Sequence, residues 1–252
     1  MPTRKPITAV PASSGDLEWL DFDTLATAGS FIDVTGEETF SVIDTSSDLL
    51  QLPRWLAVTN DGRRFVASLP WAWSERPLVA DLAINKTTGA PRVEASDPRW
   101  TGLLELVTGG FSIGAAAVVK ELVERNGLDE IESPIVAALV GTILVLSAES
   151  TERQSWDDWL DDIARSNTHI PDCAAVLGER HLQCRRYAEG DEWLRESVSR
   201  GLPFLSSTFR LLSLGFAQLE DDAQRRRISR ALVSVDPTQP FTVLELFQSP
   251  QP

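Results

Sequence analysis

The stretch AAVLGERH at residues 174–181 decides the fold, because similar sequence stands at a fixed distance on either side of it. AALVGTIL occupies residues 137–144 and LLSLGFAQ occupies residues 211–218, so the glycine at the fifth position of each string recurs every 37 residues. Pro134 and Pro171 have the same spacing, and so do two of the tryptophans. Since three residue types share one offset, the sequence predicts an internal repeat.

Each repeat is predicted to be a helix, a turn and a second helix, because apolar residues recur at helical spacing on both sides of a turn. The pairs are placed at 98–109 with 112–126, 134–148 with 155–166, 171–187 with 190–200, and 204–219 with 222–235. A glycine inside a helix costs roughly 1 kcal/mol of helix propensity. Its recurrence at Gly141, Gly178 and Gly215 therefore predicts that the partner helix approaches closely at these positions.

The first part of the chain has the composition of a β-rich domain. Residues 1–15 are rich in Pro, Ser and Thr and are predicted to form a flexible arm. Residues 16–96 contain short runs of strand-forming residues, and the Asn-Asp-Gly at 60–62 predicts a hairpin. The predicted fold class is therefore α+β: a small β-rich N-terminal domain over 16–96, followed by a short α-solenoid of about four helix-turn-helix pairs over 97–248.

Residues 175–204, AVLGERHLQCRRYAEGDEWLRESVSRGLPF, combine Leu-Gly in a first helix with Trp-Leu and a closing Arg-Gly in a second. This segment resembles tetratricopeptide and Sel1-like helical repeats, although the period of tetratricopeptides is about 34 residues. The resemblance covers roughly 98–235 and implies a curved stack of helix pairs that binds other proteins. The pattern of PD, LG, GLPF and FRLLSLG is also similar to helical regions that accompany caspase-like or subtilisin-like proteases in bacteria. That similarity implies an accessory, target or regulatory role in a bacterial protease or defence system.

The charge of the chain limits its partners. A net charge of −14 and an isoelectric point of about 4.6 describe a surface that repels phosphate groups. Nucleic acid and anionic membranes are therefore not expected as partners. The expected partner is a protein with a basic or mixed surface. The N-terminus lacks the apolar run of a signal peptide, and the longest apolar stretch, 135–148, is too short to span a membrane, so a cytoplasmic location is expected. The oligomeric state stays open.

The most distinctive polar motif is the string WDDWLDD at residues 156–162. At helical spacing, Asp157 pairs with Asp161 and Asp158 pairs with Asp162, so two pairs of carboxylates can share one side of a helix. Three interpretations remain open. The motif is a solvated helix start capped by the preceding serine, an acidic docking patch for a partner, or a Mg²⁺ site of a metal-dependent enzyme.

Two further motifs are candidates for contact with a partner. In Leu-Pro-Trp-Ala-Trp, strand alternation places Trp71 and Trp73 on one face, either as an exposed interface anchor or as core. The basic run at 225–230 contains four arginines. Asp221 and Asp222 stand four residues before the first two of them, which predicts that ion pairs along the helix neutralise the run. The alternative is a site for an anionic partner.

The residues needed for catalysis are sparse. Cys173 and Cys184 lie eleven residues apart, which is about 16 Å along a helix and too far for a shared metal or a disulfide. His181 and Cys184 have the spacing of a Cys–His pair, but no oxyanion-hole loop adjoins them. The sequence contains none of the usual nucleotide-binding, hydrolase or metalloprotease motifs. The predicted function is a non-enzymatic protein–protein interaction module, an adaptor, regulator or inhibitor subunit, without a cofactor.

Overall fold

The structure is a computed structural model. It describes residues 5–8, 32–34, 39–43, 54–69, 79–85, 87–95, 102–104, 106–107, 112–131, 133–148 and 151–246. Within these ranges, strands occupy the first part of the chain and helices the second, so the predicted α+β fold class is confirmed. Trp71 and Trp73 lie outside the described residues.

The described strands form two four-stranded sheets. The strands are β1 (Lys5–Thr8), β2 (Ile32–Val34), β3 (Thr39–Ile43), β4 (Arg54–Asn60), β5 (Arg63–Leu69), β6 (Val79–Ile84), β7 (Pro91–Ala95) and β8 (Val243–Leu246). One sheet has the order β1-β3-β6-β7 and the other has the order β2-β4-β5-β8. β1 falls inside the predicted flexible arm and pairs in parallel with β3.

The predicted hairpin at 60–62 is confirmed. β4 and β5 pair antiparallel with Asn60 opposite Arg63, so two residues connect the strands. Asp61 and Gly62 have φ angles of 50° and 76°. Positive φ at both positions suits the tight turn whose twist matches that of the strands. The Asn60 side chain donates to the carbonyl oxygen of Gly89 at 2.9 Å, which ties this hairpin to the β6–β7 turn of the other sheet.

The helices follow in pairs. They are α1 (Ser112–Glu124), α2 (Pro134–Ser147), α3 (Asp157–Ser166), α4 (Pro171–Gln183), α5 (Tyr187–Ser199), α6 (Ser206–Gln218) and α7 (Asp222–Ser234), with a 3₁₀ helix at Gly127–Glu130. Residues 102–104 and 106–107 are also helical and precede α1. None of the helices in the described ranges has the length and apolar character needed to cross a membrane.

The turn between α4 and α5 comes earlier than predicted. The sequence analysis extended the first helix to residue 187, but α4 ends at Gln183 and α5 begins at Tyr187. Arg185 in this turn has a φ of 59°, a left-handed conformation that residues other than glycine, asparagine and aspartate rarely adopt. The break was missed because the Cys-Arg-Arg sequence contains none of the usual turn residues.

α4 is the centre of the helical part. All residues from Pro171 to Leu182 are buried, and α4 contacts α2, α3, α5 and α6. This position explains the glycines of the first helices. A Cβ atom on Gly141 would lie 2.9 Å from Leu160 Cδ2 in α3, and one on Gly178 would lie 2.8 Å from Leu194 Cδ2 in α5. The predicted close approach of the partner helix is therefore confirmed at these two positions.

The third glycine differs in its partner. A Cβ on Gly215 would lie 2.5 Å from Leu194 Cδ1, so the close contact is with α5 of the preceding pair and not with α7 of its own pair. The spacing also changes, because α4 begins 37 residues after α2 whereas α6 begins 35 residues after α4. The pairs are therefore similar units stacked with small adjustments.

The C-terminal strand returns to the N-terminal sheet. β8 pairs antiparallel with β5, with Leu244 opposite Val66. The Ser68 hydroxyl donates to the carbonyl oxygen of Phe204 at 2.7 Å, and the rings of Trp55 and Phe204 lie 5.3 Å apart. The sheet is thus packed on the segment that leads into α6. One continuous cluster of buried apolar residues includes both the strands and the helices.

Candidate functional site

The acidic motif of α3 is joined to α4 by a buried ion pair. Asp157, the first residue of α3, accepts hydrogen bonds from Arg180 Nε at 2.7 Å and Nη2 at 3.2 Å. Nη2 also donates to the carbonyl oxygen of Glu152 at 2.6 Å, and the guanidinium lies 4.8 Å from the centre of the Trp156 ring. The Arg180 side chain is 1% exposed and that of Asp157 is 10% exposed. The structure therefore places Asp157 inside the fold rather than on the open surface.

The other three aspartates of the motif are more accessible. Asp158 pairs with Arg153, and Asp161 accepts from Arg165 Nε at 2.6 Å, both at the surface. Asp162 is exposed. No group of three or more His, Cys, Asp or Glu side chains within the described ranges is arranged to hold a metal ion. Since three of the four carboxylates of the motif face arginines of the same chain, the motif offers little net negative charge to a basic partner.

Asp172 connects α4 to the start of α6. Its carboxylate accepts hydrogen bonds from the backbone N–H groups of Phe204 at 2.8 Å and Leu205 at 2.9 Å, and from the Thr208 hydroxyl at 2.6 Å. Leu205 precedes α6 and has no side-chain capping bond of its own, so a side chain from the preceding pair caps this helix. Burial raises the pKa of Asp172 to about 6, although these hydrogen bonds lower it. The group is therefore ionised at neutral pH.

Glu179 has a buried carboxyl group with one oxygen that lacks a hydrogen-bond partner among the described residues. Its side chain lies between α4 and α6, where Oε2 is 3.4 Å from the position that a Cβ on Gly215 would occupy. Glu179 is 5% exposed, and Oε2 accepts no hydrogen bond within the part of the chain that the structure describes. Burial raises the pKa of Glu179 from its usual value near 4.5 to about 7. The uncharged form of this side chain is therefore the one that suits the fold.

The stability of the protein is expected to depend on pH through Glu179. Between pH 4.5 and about pH 7, the unfolded chain releases this proton while the folded protein keeps it. The free energy of unfolding should therefore fall as pH rises through that window and become level above it. The glutamine side chain of the Glu179→Gln variant cannot ionise. At pH 8 we therefore expect the variant to be more stable than the wild type by on the order of 2 kcal/mol, and at acidic pH we expect equal stability. Urea unfolding at a series of pH values measures both.

The matched control is Glu192→Gln, which removes the same charge from the exposed surface of α5. Asp172 titrates in the same direction, so the informative quantity is the difference between each variant and the wild type. If the Glu179→Gln and wild-type curves stay parallel from pH 4.5 to pH 8, Glu179 does not couple folding to protonation.

Cys173 does not have the properties of a nucleophilic thiol. Cys173 Sγ donates to the carbonyl oxygen of Pro134 at 3.5 Å, and burial raises the pKa of the Cys173 thiol. Cys184 ends α4 as a free thiol. His181 is 8% exposed, and burial together with the charge of Arg186 lowers its pKa. The elevated thiol pKa of Cys173 is the opposite of what nucleophilic catalysis needs.

An open apolar groove lies between α1 and α2. It has a volume of about 490 Å³ and is lined mainly by small and apolar side chains, with three polar ones: Ala116, Ala117, Val123, Leu144, Ala148 and Trp156, with Lys120, Ser147 and Gln154. Ile113 and Val118 of α1 and Leu146 of α2 are exposed by 86%, 48% and 55%. Exposed apolar side chains on two helices that also form an apolar groove are typical of a protein-binding surface.

These features define an α+β protein with stacked helical pairs, a C-terminal strand that returns to the N-terminal sheet, and an apolar groove between α1 and α2. The chain belongs to the Y4kD C-terminal domain family, whose model matches residues 102–248. No curated protein and no solved structure matches the chain. The matched span begins at the helical residues before α1 and continues past β8. The returning strand is therefore part of the family unit, together with the helical pairs.

Proposed function

We propose that the protein is a non-enzymatic protein–protein interaction module that acts as an adaptor, regulator or inhibitor subunit. The observation that supports this function is the groove between α1 and α2, together with the exposed apolar side chains that the same two helices carry. An apolar groove between two helices receives the apolar face of a partner helix, whose side chains then leave water.

The proposed occupant is an amphipathic helix with a mixed charge pattern on its flanks. Ala116 and Ala117 leave room for larger side chains of a partner, and Val123 and Leu144 contribute apolar lining to the groove. At the border, Lys120 and Glu124 face each other at 3.8 Å and both are exposed. Since one cation and one anion stand together there, the partner is expected to have both charges near its apolar stripe.

We also propose that the helical pairs are related to tetratricopeptide-like repeats. The leucine that packs against the glycine of the first helix recurs as Leu160 and Leu194, which are 34 residues apart and each follow a tryptophan. This is the period of tetratricopeptides, whereas the sequence analysis aligned Trp193 with Trp156. The longer segment between α2 and α3 accounts for the difference.

Site-specific photo-crosslinking in the cells that produce the protein tests the interaction role. A photoreactive phenylalanine analogue at Ala117, an exposed alanine in the groove, is expected to give a crosslinked product of one defined mass. The same analogue at Ala188, an exposed alanine at the start of α5, is the control and should not give this product.

A second variant tests whether the groove itself is filled. Ala117→Trp places a bulky side chain in the groove and should abolish the crosslink from an analogue at Lys120, an exposed residue that also lines the groove, whereas Ala188→Trp should leave it unchanged. Because both alanines are exposed, neither variant should alter the melting temperature. The proposal is contradicted if the folded protein gives no specific crosslinked product from the groove. It is also contradicted if the crosslinked product persists in the Ala117→Trp variant.

A further inference from the structure

We propose that the last helix binds an acidic segment of a partner protein through exposed arginines. α7 presents Arg225, Arg226 and Arg230 to solvent in a chain whose net charge is −14. A concentrated positive surface on an otherwise negative protein selects for a negative ligand at that place. The proposal rests on the proposed interaction role and adds to it a second surface, remote in sequence from the groove at α1.

The positive charge of α7 is not neutralised by Asp221, the residue before the helix, because Asp221 has other partners. Asp221 accepts from the backbone N–H groups of Ala223 at 3.1 Å and Gln224 at 3.0 Å, and from Arg195 Nη2 at 2.7 Å. It therefore caps α7 and pairs with α5, and the ion pair with Arg225 that the sequence predicted is not formed.

The remaining aspartate compensates for only one of the arginines. Asp222 lies 3.6 Å from Arg225 Nη1, and both side chains are more than half exposed. An exposed pair at this distance is easily exchanged for another partner. Neither Arg226 nor Arg230 has an ion-pair partner within the residues that the structure describes. The predicted pair of Asp222 with Arg226 is therefore also absent.

The spacing along α7 specifies the ligand. Arg226, Arg230 and Val233 stand at i, i+4 and i+7, so they share one face over about 10 Å. Val233 is 79% exposed, which makes it an apolar contact at the end of the two cations. The complement is an acidic amphipathic helix that has two carboxylates four residues apart and an apolar residue one turn beyond. Each arginine can then donate two hydrogen bonds to one carboxylate.

An acidic protein segment fits this surface better than a nucleic acid does. Nucleic acid binding requires a positive footprint that follows many phosphates, and a stripe of about 10 Å reaches only a few. The rest of the chain is negative and repels the remainder of a duplex. A short peptide contacts the stripe alone, and the other charges of the protein are screened beyond about 8 Å at physiological salt.

Fluorescence anisotropy with a labelled peptide tests the proposal on the full chain. The probe is a helix-forming, alanine-rich peptide that contains one motif with glutamates at i and i+4 and leucine at i+7. Saturable binding is expected, and the affinity should fall as salt rises. Arg226→Glu combined with Arg230→Glu is expected to weaken binding by at least about tenfold, because attraction becomes repulsion. Val233→Ser should weaken it by a smaller factor.

The control for the change in net charge is Arg125→Glu combined with Arg186→Glu, which reverses two exposed arginines outside α7 and should leave the affinity unchanged. Thermal unfolding of both double variants verifies that they remain folded. The proposal is overturned if both double variants bind equally well, if the peptide with glutamine in place of glutamate binds as tightly, or if a DNA duplex of equal charge binds more tightly. Crosslinking from Ala117 reports on the groove separately, so either surface can fail alone.

Discussion

Asp172→Ala is expected to lower the free energy of unfolding by about 3 kcal/mol at neutral pH. The substitution leaves the N–H groups of Phe204 and Leu205 and the hydroxyl of Thr208 without an acceptor. Both Asp172 and Thr208 are fully buried, so water does not replace the lost carboxylate. A buried donor without a partner costs about 1–3 kcal/mol, and removal of a desolvated charge offsets part of the sum.

Two comparisons test this interpretation of Asp172. Asp221→Ala removes an aspartate that also accepts from two backbone N–H groups at a helix start, but its side chain is 19% exposed. Water can serve those donors, so a loss of only about 1 kcal/mol is expected. Asp172→Asn keeps one acceptor oxygen and should fall between the wild type and alanine. Equal losses in Asp172→Ala and Asp221→Ala, measured by urea unfolding with an unchanged slope, would sink the idea of a buried cap.

The repeat could be predicted because its signals are local. Glycines inside helices and prolines at helix starts recur at fixed spacing in the sequence. The change from strand-forming to helix-forming residues marks where the helical part begins. The exact stacking could not be predicted. Gly215 keeps the 37-residue offset, but it contacts α5 rather than α7, and this depends on how α6 lies against its neighbours.

The buried polar residues were missed for a different reason. Asp172, Glu179 and Arg180 stand in a string that has the ordinary composition of an exposed helix, and the sequence analysis considered none of them as a site. They are buried because four helices surround α4. One local signal of this burial was present. Apolar residues in the first half of α4 occur on all faces of the helix, as in a helix that is buried on every side. The return of β8 to β5 was equally invisible, because strand pairing across the whole chain leaves no periodic pattern.

Arg180→Met is expected to be the most destabilising of the substitutions considered, with a loss of about 3–5 kcal/mol. Methionine keeps most of the volume of the side chain but removes the guanidinium hydrogen bonds to the carboxylate of Asp157 and to the carbonyl oxygen of Glu152. It also removes the cation from the face of the Trp156 ring. Because the pair is nearly shielded from water, the carboxylate of Asp157 then keeps the backbone N–H of Gln154 as a donor but loses its counter-ion.

The neighbouring pair of Arg153 with Asp158 supplies a matched control. It also involves an aspartate in the first turn of α3, paired with an arginine of the preceding loop, but its side chains are 73% and 77% exposed. Arg153→Met is therefore expected to cost less than about 1 kcal/mol. A double variant, Asp157→Leu with Arg180→Met, removes both charges and should be more stable than Arg180→Met alone, since no buried charge remains unpaired. If Arg180→Met and Arg153→Met have equal unfolding midpoints, the ion pair does not hold α3 against α4, and the acidic motif would be free to act at the surface as a docking patch.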